Sequence, residues 1–383
     1  MFQTSVIEIS KSALKQNISF IKQFLYDGVK FSSVVKGNAY GHGIEIFVPL
    51  AEDVGVKHFS VFSADEALRV KNICKASTQL MIMGYIDNEE LKWAIENEIE
   101  FYVFDIDRLQ AALLAAKKIN KKAKVHVELE TGMNRTGFES LTLKNAVKII
   151  KQNKEFISFE GVCTHYAGAE SIANYVRVQS QIKKFHRQKK SIEAEGIKPK
   201  LYHTACSAAS ITYPKTQMDM VRIGILQYGY WPTRETFIQY IHKNSEPNEP
   251  LQRVLSWKSK VMNVKEIKTG EFIGYGTTYL AQSDKKIATV PVGYSHGFSR
   301  SLSNVGRVLI HGQRVSVIGI VNMSLMTIDV TGIDNVQKGD EVVMIGRQDD
   351  LEISVASFSE LSSQVNYETL TRLPMNIPRK VVD

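Results

Sequence analysis

The sequence predicts an α/β chain, a (β/α)8 TIM-like barrel followed by a mostly β C-terminal domain. Over the first half, eight short β-branched or aromatic runs alternate with longer segments of helical period, as in a parallel barrel. From about residue 245 the period changes to two, with turn residues between runs, as in a β module. These rhythms place a barrel domain at 1–244 and a β domain at 245–383.

An added helix precedes the barrel, with Leu14, Ile18, Ile21 and Leu25 on one apolar face and Ser10 as its N-cap. Phe47, Leu50, Ala51 and Val54 form a second such face. The barrel runs are FSSVVK (31–36), HFSVF (58–62), QLMIMG (79–84), EFYVFD (100–105), KVHVELE (124–130), FEGVCTH (159–165), KLYHTA (200–205) and DMVRIG (219–224). The second half reads VLSWKSKVMNVKEI, KIATVPVGY, RVLIHGQRVSVIGIVNM and DEVVMIG, which predict a small barrel-like or sandwich module.

Composition narrows the function classes. Of 383 residues, 44% are apolar and 23% charged, which sets disorder, collagen and coiled coil aside. The longest apolar run, Val315 to Ile328, is interrupted by Ser316, Asn322, Ser324 and Thr327; it reads as a buried strand, too short for a membrane span. The start, MFQTSVIEISK, has no basic head or apolar core of a secretory signal, so we expect a cytoplasmic protein. Cys74, Cys163 and Cys206 are too few and scattered for a disulfide framework or a CxxC metal site. The net charge of +8 raises the question of nucleic acid, but the lysines cluster in KKINKKAK and KKFHRQKK with little aromatic interleaving. They fit solvated helix faces, so no nucleic-acid partner is expected.

Barrels of this kind gather their chemistry at the C-terminal ends of the strands. Lys36 ends the first run, Arg135 follows the fifth, His165 ends the sixth, Ser207 follows the seventh and Arg222 ends the eighth. A lysine preceded by SSVV and followed by a glycine-rich turn sits at a barrel mouth, where desolvation lowers its pKa and favours Schiff-base chemistry. His165 reads as a core histidine or a functional one; nothing at ligand spacing supports a metal. Ser207 either caps a helix or, with the Gly224 and Ile225 amides, forms the phosphate site customary after the seventh and eighth strands. Arg222 alone reads equally as an ion-pair partner. In the second half, GYSHGFSR and VNMSLMTIDV are turn-like strand exits, and Tyr294 between Gly293 and Ser295 has few apolar neighbours.

Nine blocks then carry a resemblance: VVKGNAYGHG, TGMNRTGF, THYAGAES, HTACSAAS, VRIGILQYG, GYGTTY, VGYSHGFSR, GDEVVMIG and YETLTRLPMNIPR, in that order. Together they resemble the alanine racemases, pyridoxal-phosphate enzymes of the barrel-plus-β-domain type. The resemblance implies that Lys36 holds pyridoxal 5'-phosphate and is the base acting on the D-amino acid, with Tyr294 acting on the L face. It implies phosphate contacts at Tyr40, Ser207, Gly224 and Ile225, Arg222 at the pyridine nitrogen, and His165 joining Arg222 to the tyrosine. The substrate carboxylate would meet Arg135 and the backbone at Met323. An arginine, always protonated, keeps the pyridine nitrogen unprotonated and weakens the electron sink, which disfavours side reactions.

A homodimer with shared sites is also implied, because the family's tyrosine comes from the partner subunit; the expected role is D-alanine supply for the cell wall. The chain departs from the family's usual residues at Glu128, where a lysine, often carbamylated, is common, and at Glu130, Cys206, His296, Ser324 and Met375. These changes keep a broader-specificity amino-acid racemase of the same fold as the alternative.

Overall fold

The computed structural model describes residues 3–244, 248–362 and 366–383. The chain divides into two compact units. One comprises Leu14–Lys36 and Val48–Gln252; the other comprises Met1–Ala13, Gly37–Phe47 and Arg253–Asp383. The expected domain boundary after residue 244 falls at residues 245–247, outside the described residues.

A strand that the sequence pattern did not announce, β1 (Ser5–Ser10), opens the chain with Ile7 and Ile9 fully buried. Ser10 then caps the helix Lys11–Phe24, its Oγ accepting from the Ala13 amide at 3.1 Å. Leu14, Ile18 and Ile21 on that helix are buried, as the spacing requires.

The barrel unit holds β2 (Lys30–Val34), β3 (His58–Ser63), β4 (Gln79–Tyr85), β5 (Glu100–Val103), β6 (Ala123–Glu128), β7 (Ile157–Cys163), β8 (Leu201–His203) and β9 (Met220–Ile223). All eight coincide with the expected runs and pair in parallel in the order β8-β7-β6-β5-β4-β3-β2-β9. Between β8 and β9 the barrel is nearly closed by two backbone bonds, Asp219 N–H to Tyr202 O at 3.0 Å and Arg222 N–H to Ala205 O at 2.9 Å. Met81, Tyr102, Cys163 and Met220 form one cluster of the core; Ile21, Val178, Ala209, Val221 and Leu226 belong to another.

The second unit adds β10 (Leu255–Lys260), β11 (Asn263–Ile267), β12 (Lys285–Val290), β13 (Arg307–Ile310), β14 (Gln313–Ile318), β15 (Met326–Asp329), β16 (Glu341–Gln348), β17 (Leu351–Ile353) and β18 (Arg379–Val382). Their order is β11-β12-β15-β14-β13-β16-β10-β1-β18, with β17 on β16. Strand β1 joins here, antiparallel to β10 with Ile7 opposite Trp257, so the N-terminus completes the β-rich half. The run Val315–Ile328, read as one buried strand, is two: Gly319 at φ 72° turns the chain between β14 and β15. A glycine in a left-handed conformation ends a strand more decisively than its apolar neighbours extend it.

Candidate active site

The chain leaves β2 at Lys36 into a left-handed turn, with φ of 62°, 55°, 53° and 50° at Gly37, Asn38, Ala39 and Tyr40. Three consecutive non-glycine residues in this region store strain, which persists only where the surroundings enforce it. Gly41 has no alternative: a Cβ there would lie 2.0 Å from the Leu370 carbonyl. The Lys36 side chain is exposed, yet the protein packed around its amine desolvates it and lowers its pKa, and the Arg135 cation adds to the effect.

Arg222 is buried on β9, and both terminal nitrogens of its guanidinium are bonded to the barrel wall. Nη1 donates to His203 Nδ1 at 2.6 Å and His203 O at 2.8 Å; Nη2 donates to Thr164 O at 2.8 Å and Thr204 O at 3.3 Å. His165 follows β7, its carbonyl accepting from Gln181 Nε2 at 3.0 Å. Burial, then the charges of Arg222, Arg135 and Lys36, push its pKa down to about 3, so the ring is neutral at physiological pH. The imidazole hydrogen-bonded to Arg222 is that of His203, which the sequence reading did not single out.

Ser207 begins the helix Ser207–Thr212, and its Oγ accepts from the Gly224 amide at 3.0 Å. Gly224 precedes the 3-10 turn Ile225–Tyr228, so Ser207, Gly224 and Ile225 share one buried corner past β8 and β9. Arg135 lies exposed on the loop after β6. Glu130 shapes that loop by accepting from the Gly132 and Asn134 amides, the latter at 2.8 Å. Glu128, at the end of β6, is buried, which raises its pKa; the Thr136 hydroxyl bond and the Arg135 charge oppose that rise.

The second unit carries the remaining candidates. Tyr294 opens the 3-10 turn Tyr294–His296 and is 40% exposed; Met323 is 60% exposed. Backbone ties join their segments: Tyr294 N–H to Asn322 O and Ser295 N–H to Met323 O, both at 3.0 Å. Ser295 Oγ also donates to Met323 O, at 2.7 Å. Gly293 permits this approach, since a Cβ there would stand 2.1 Å from Asn322 O. Tyr40 sets its half-buried ring edge-on to Tyr367, centroids 6.1 Å apart.

Seven expected residues therefore lie in the barrel unit (Lys36, Arg135, His165, Ser207, Arg222, Gly224 and Ile225), and Tyr40, Tyr294 and Met323 in the other. Polar residues inside apolar strand runs, namely His58, Glu100, His126 and His203, were not singled out as candidates. Their signal is weak: His126 and His203 lie within their runs, while His58 and Glu100 only open theirs, and the same runs carry other polar residues such as Ser60, Asp105 and Lys124.

The chain matches two family models in series, the alanine racemase N-terminal domain over residues 9–232 and the alanine racemase C-terminal domain over residues 254–381. The alanine racemase of Leptospira interrogans is 32% identical over 99% of this chain and 96% of its own length. The crystal structure of Bacillus anthracis alanine racemase with bound L-Ala-P superposes with a TM-score of 0.90, is 31% identical, and covers 100% of this chain and 96% of its own. Bartonella henselae alanine racemase with covalently bound pyridoxal phosphate, 23% identical, covers 99% of each chain at a TM-score of 0.85 and shares the fold. Consecutive domain matches that span nearly the whole chain, with relatives above 30% identity end to end, make this chain a member of the alanine racemase family.

Proposed function

We propose that the protein interconverts L- and D-alanine with pyridoxal 5'-phosphate held on Lys36, using Lys36 and Tyr294 as its two proton groups. The observation that carries this reading is the place of Lys36 just after β2, its amine packed about by protein, on a barrel mouth that also presents Arg222 and the Ser207–Gly224 corner. The residues fit the cofactor: the Ser207 hydroxyl, which accepts from the Gly224 amide, can turn its own proton toward a phosphate beside the Ile225 amide, and Arg222 offers a fixed cation for the pyridine nitrogen. When bound, the cofactor supplies the electron sink that makes the α-proton of an amino acid removable. The Bartonella relative of the same fold, which carries it covalently, supports that assignment.

Lys36 then takes or gives the proton at Cα on one face and the Tyr294 hydroxyl does so on the other, so inversion needs no third base. The lowered pKa leaves more of the Lys36 amine uncharged at neutral pH, the form able to accept a proton. Arg135 meets the substrate carboxylate, with the backbone at Met323 as a second contact. His165, held neutral, adds no further cation to the site. Because Tyr294 is exposed on its own unit, it suits delivery to a second subunit, and we propose a homodimer with shared sites.

Among the described residues no helix is long and apolar enough to cross a membrane. Cytoplasmic supply of D-alanine for peptidoglycan is the role we assign. The racemase of broader specificity is favoured by one feature, the exposed Met375 at a position where relatives often carry a tyrosine. Racemisation of a panel of L-amino acids, followed by chiral chromatography, tests the reading. Alanine is expected to turn over fastest, and no racemisation of any member by cofactor-supplied protein would overturn it.

A further inference from the structure

A continuous chain of buried side chains crosses the barrel interior, and beyond Arg222 none of its members takes part in the reaction as proposed above. It starts at Arg222, whose Nη1 reaches His203 Nδ1 at 2.6 Å; His203 Nε2 lies 2.8 Å from His126 Nδ1, and His126 Nε2 lies 2.9 Å from Glu100 Oε2. The same carboxylate oxygen is 3.3 Å from His58 Nε2, and His58 Nδ1 is 2.8 Å from Ser32 Oγ. The three histidines are fully buried and Glu100 is 5% exposed. Among the described residues no group of three or more histidine, cysteine, aspartate or glutamate side chains is arranged to hold a metal ion.

The ends fix the direction of the chain. A guanidinium can only donate and a carboxylate can only accept. Between them each imidazole must accept at Nδ1 and donate from Nε2, so His203 and His126 each carry one proton, on Nε2. Burial, then the Arg222 charge, keeps the His203 pKa far below the ordinary histidine value. Burial works against the Glu100 charge, but bonds from His126 and His58 hold its carboxyl well below the usual carboxylate range.

The backbone is shaped around this contact. Gly161 on β7 lies beside both rings, and a Cβ there would stand 2.1 Å from His126 Nδ1 and 2.9 Å from His203 Nε2. A glycine inside a strand is less favourable than alanine, so the space for the two rings comes at a cost to the barrel.

We propose that Glu100 is a positioning residue for Arg222: acting through His126 and His203, it fixes the lone pair that pins the guanidinium. This rests on the reading that Arg222 faces the pyridine nitrogen. The logic is that of a carboxylate that orients a histidine whose other nitrogen serves a working group.

The test uses [15N]histidine-labelled protein carrying [15N]pyridoxal phosphate, in the parent and in Glu100→Gln, Glu100→Leu and Arg222→Lys. Parent His203 is expected to show the Nε2–H tautomer unchanged from pH 6 to 8, and His126 to show the same tautomer. Glu100→Gln retains an acceptor oxygen and should shift only the His126 signal, whereas Glu100→Leu should give mixed tautomers at His203. The alanine kcat should fall roughly tenfold in Glu100→Leu with KM little changed, and Glu100→Gln should recover most of it. An unaltered His203 pattern in Glu100→Leu overturns the proposal; if that variant does not fold, an unaltered His126 signal in Glu100→Gln does so. The pyridine nitrogen shift separates the two ideas. If Arg222→Lys leaves it unmoved, the placement of Arg222 fails while the histidine signals still decide the role of Glu100. If Arg222→Lys moves it and Glu100→Leu does not, Glu100 does not act on the site.

Discussion

The two units present their functional groups by opposite means. In the barrel, Arg222 is held by four hydrogen bonds, two of them to a histidine, and Glu128 is buried beside Thr136 and Arg135. In the β-rich unit, Tyr294 and Met323 are exposed and their segments are tied by backbone bonds and one serine hydroxyl. Buried charge in a low-dielectric interior is strongly felt but must be fully partnered. An exposed side chain on a rigid turn carries little such burden, and it suits a group that works only once another surface meets it.

If the barrel is the preorganised half, removing its nucleophile should have the largest effect. Lys36→Ala is expected to lose racemisation by roughly 10²–10⁴-fold or more, and with it solvent exchange of the α-proton from either enantiomer. In the parent, supplied with pyridoxal phosphate, borohydride should fix the cofactor on Lys36. Label recovered on a different lysine would break the comparison at its base.

Tyr294→Phe should be nearly as damaging to racemisation but different in kind. Lys36 still serves its own face, so exchange of the D-alanine α-proton with deuterium oxide should be largely retained. Mixing inactive Lys36→Ala and Tyr294→Phe subunits should restore part of the activity if the exposed tyrosine is donated across a dimer. Equal loss of exchange from both enantiomers, or no recovery after verified subunit exchange, would contradict the assignment.

A pair of glycines sharpens the contrast, because each would bring a Cβ to 2.1 Å from its neighbour. Gly161→Ala drives a methyl into the His126–His203 contact and should destabilise the protein by about 1–3 kcal/mol in urea unfolding. Gly293→Ala presses on the Asn322 and Met323 carbonyls. It should lower racemisation more than cofactor binding, because the tyrosine turn moves while the barrel is untouched. The reverse pattern would mean that the tyrosine turn, and not the barrel interior, is the more tightly coupled part.

All eight barrel strands were legible in the sequence because β-branched or aromatic runs of five to seven residues between helical segments are a local signal. Strand β1 was not, since six residues with only Ile7 and Ile9 fully buried among their aliphatics become a strand through β10 and β18, both more than 240 residues away. Lys36, Ser207 and Arg222 could be picked out by their place at strand ends. His203 stands two residues inside its run and Glu100 opens its own, and a polar residue there looks like noise until the barrel brings β5, β6 and β8 into register.

The smallest expected effect concerns Glu128, which stands where relatives often carry a carbamylated lysine. A carbamate presents a carboxylate to the substrate-binding arginine, and we propose that Glu128 does so without modification and therefore without carbon dioxide. Its carboxyl is buried and bonded by Thr136, while Arg135 acts on it by charge. Arg135 itself is exposed, so solvent screens the pair and its worth falls to roughly 0.5–1 kcal/mol. Glu128→Gln keeps the shape and removes the charge. The Michaelis constant for alanine should then rise about two- to fivefold, the ratio that such an energy gives, with kcat changed less. Burial also raises the Glu128 pKa, so acidification toward that value should neutralise the carboxyl and weaken alanine binding in the parent, a dependence absent from Glu128→Gln. Removal of bicarbonate should leave the parent unaffected. Kinetics that follow bicarbonate, or a Glu128→Gln variant indistinguishable from the parent, would show that Arg135 is steadied by something else.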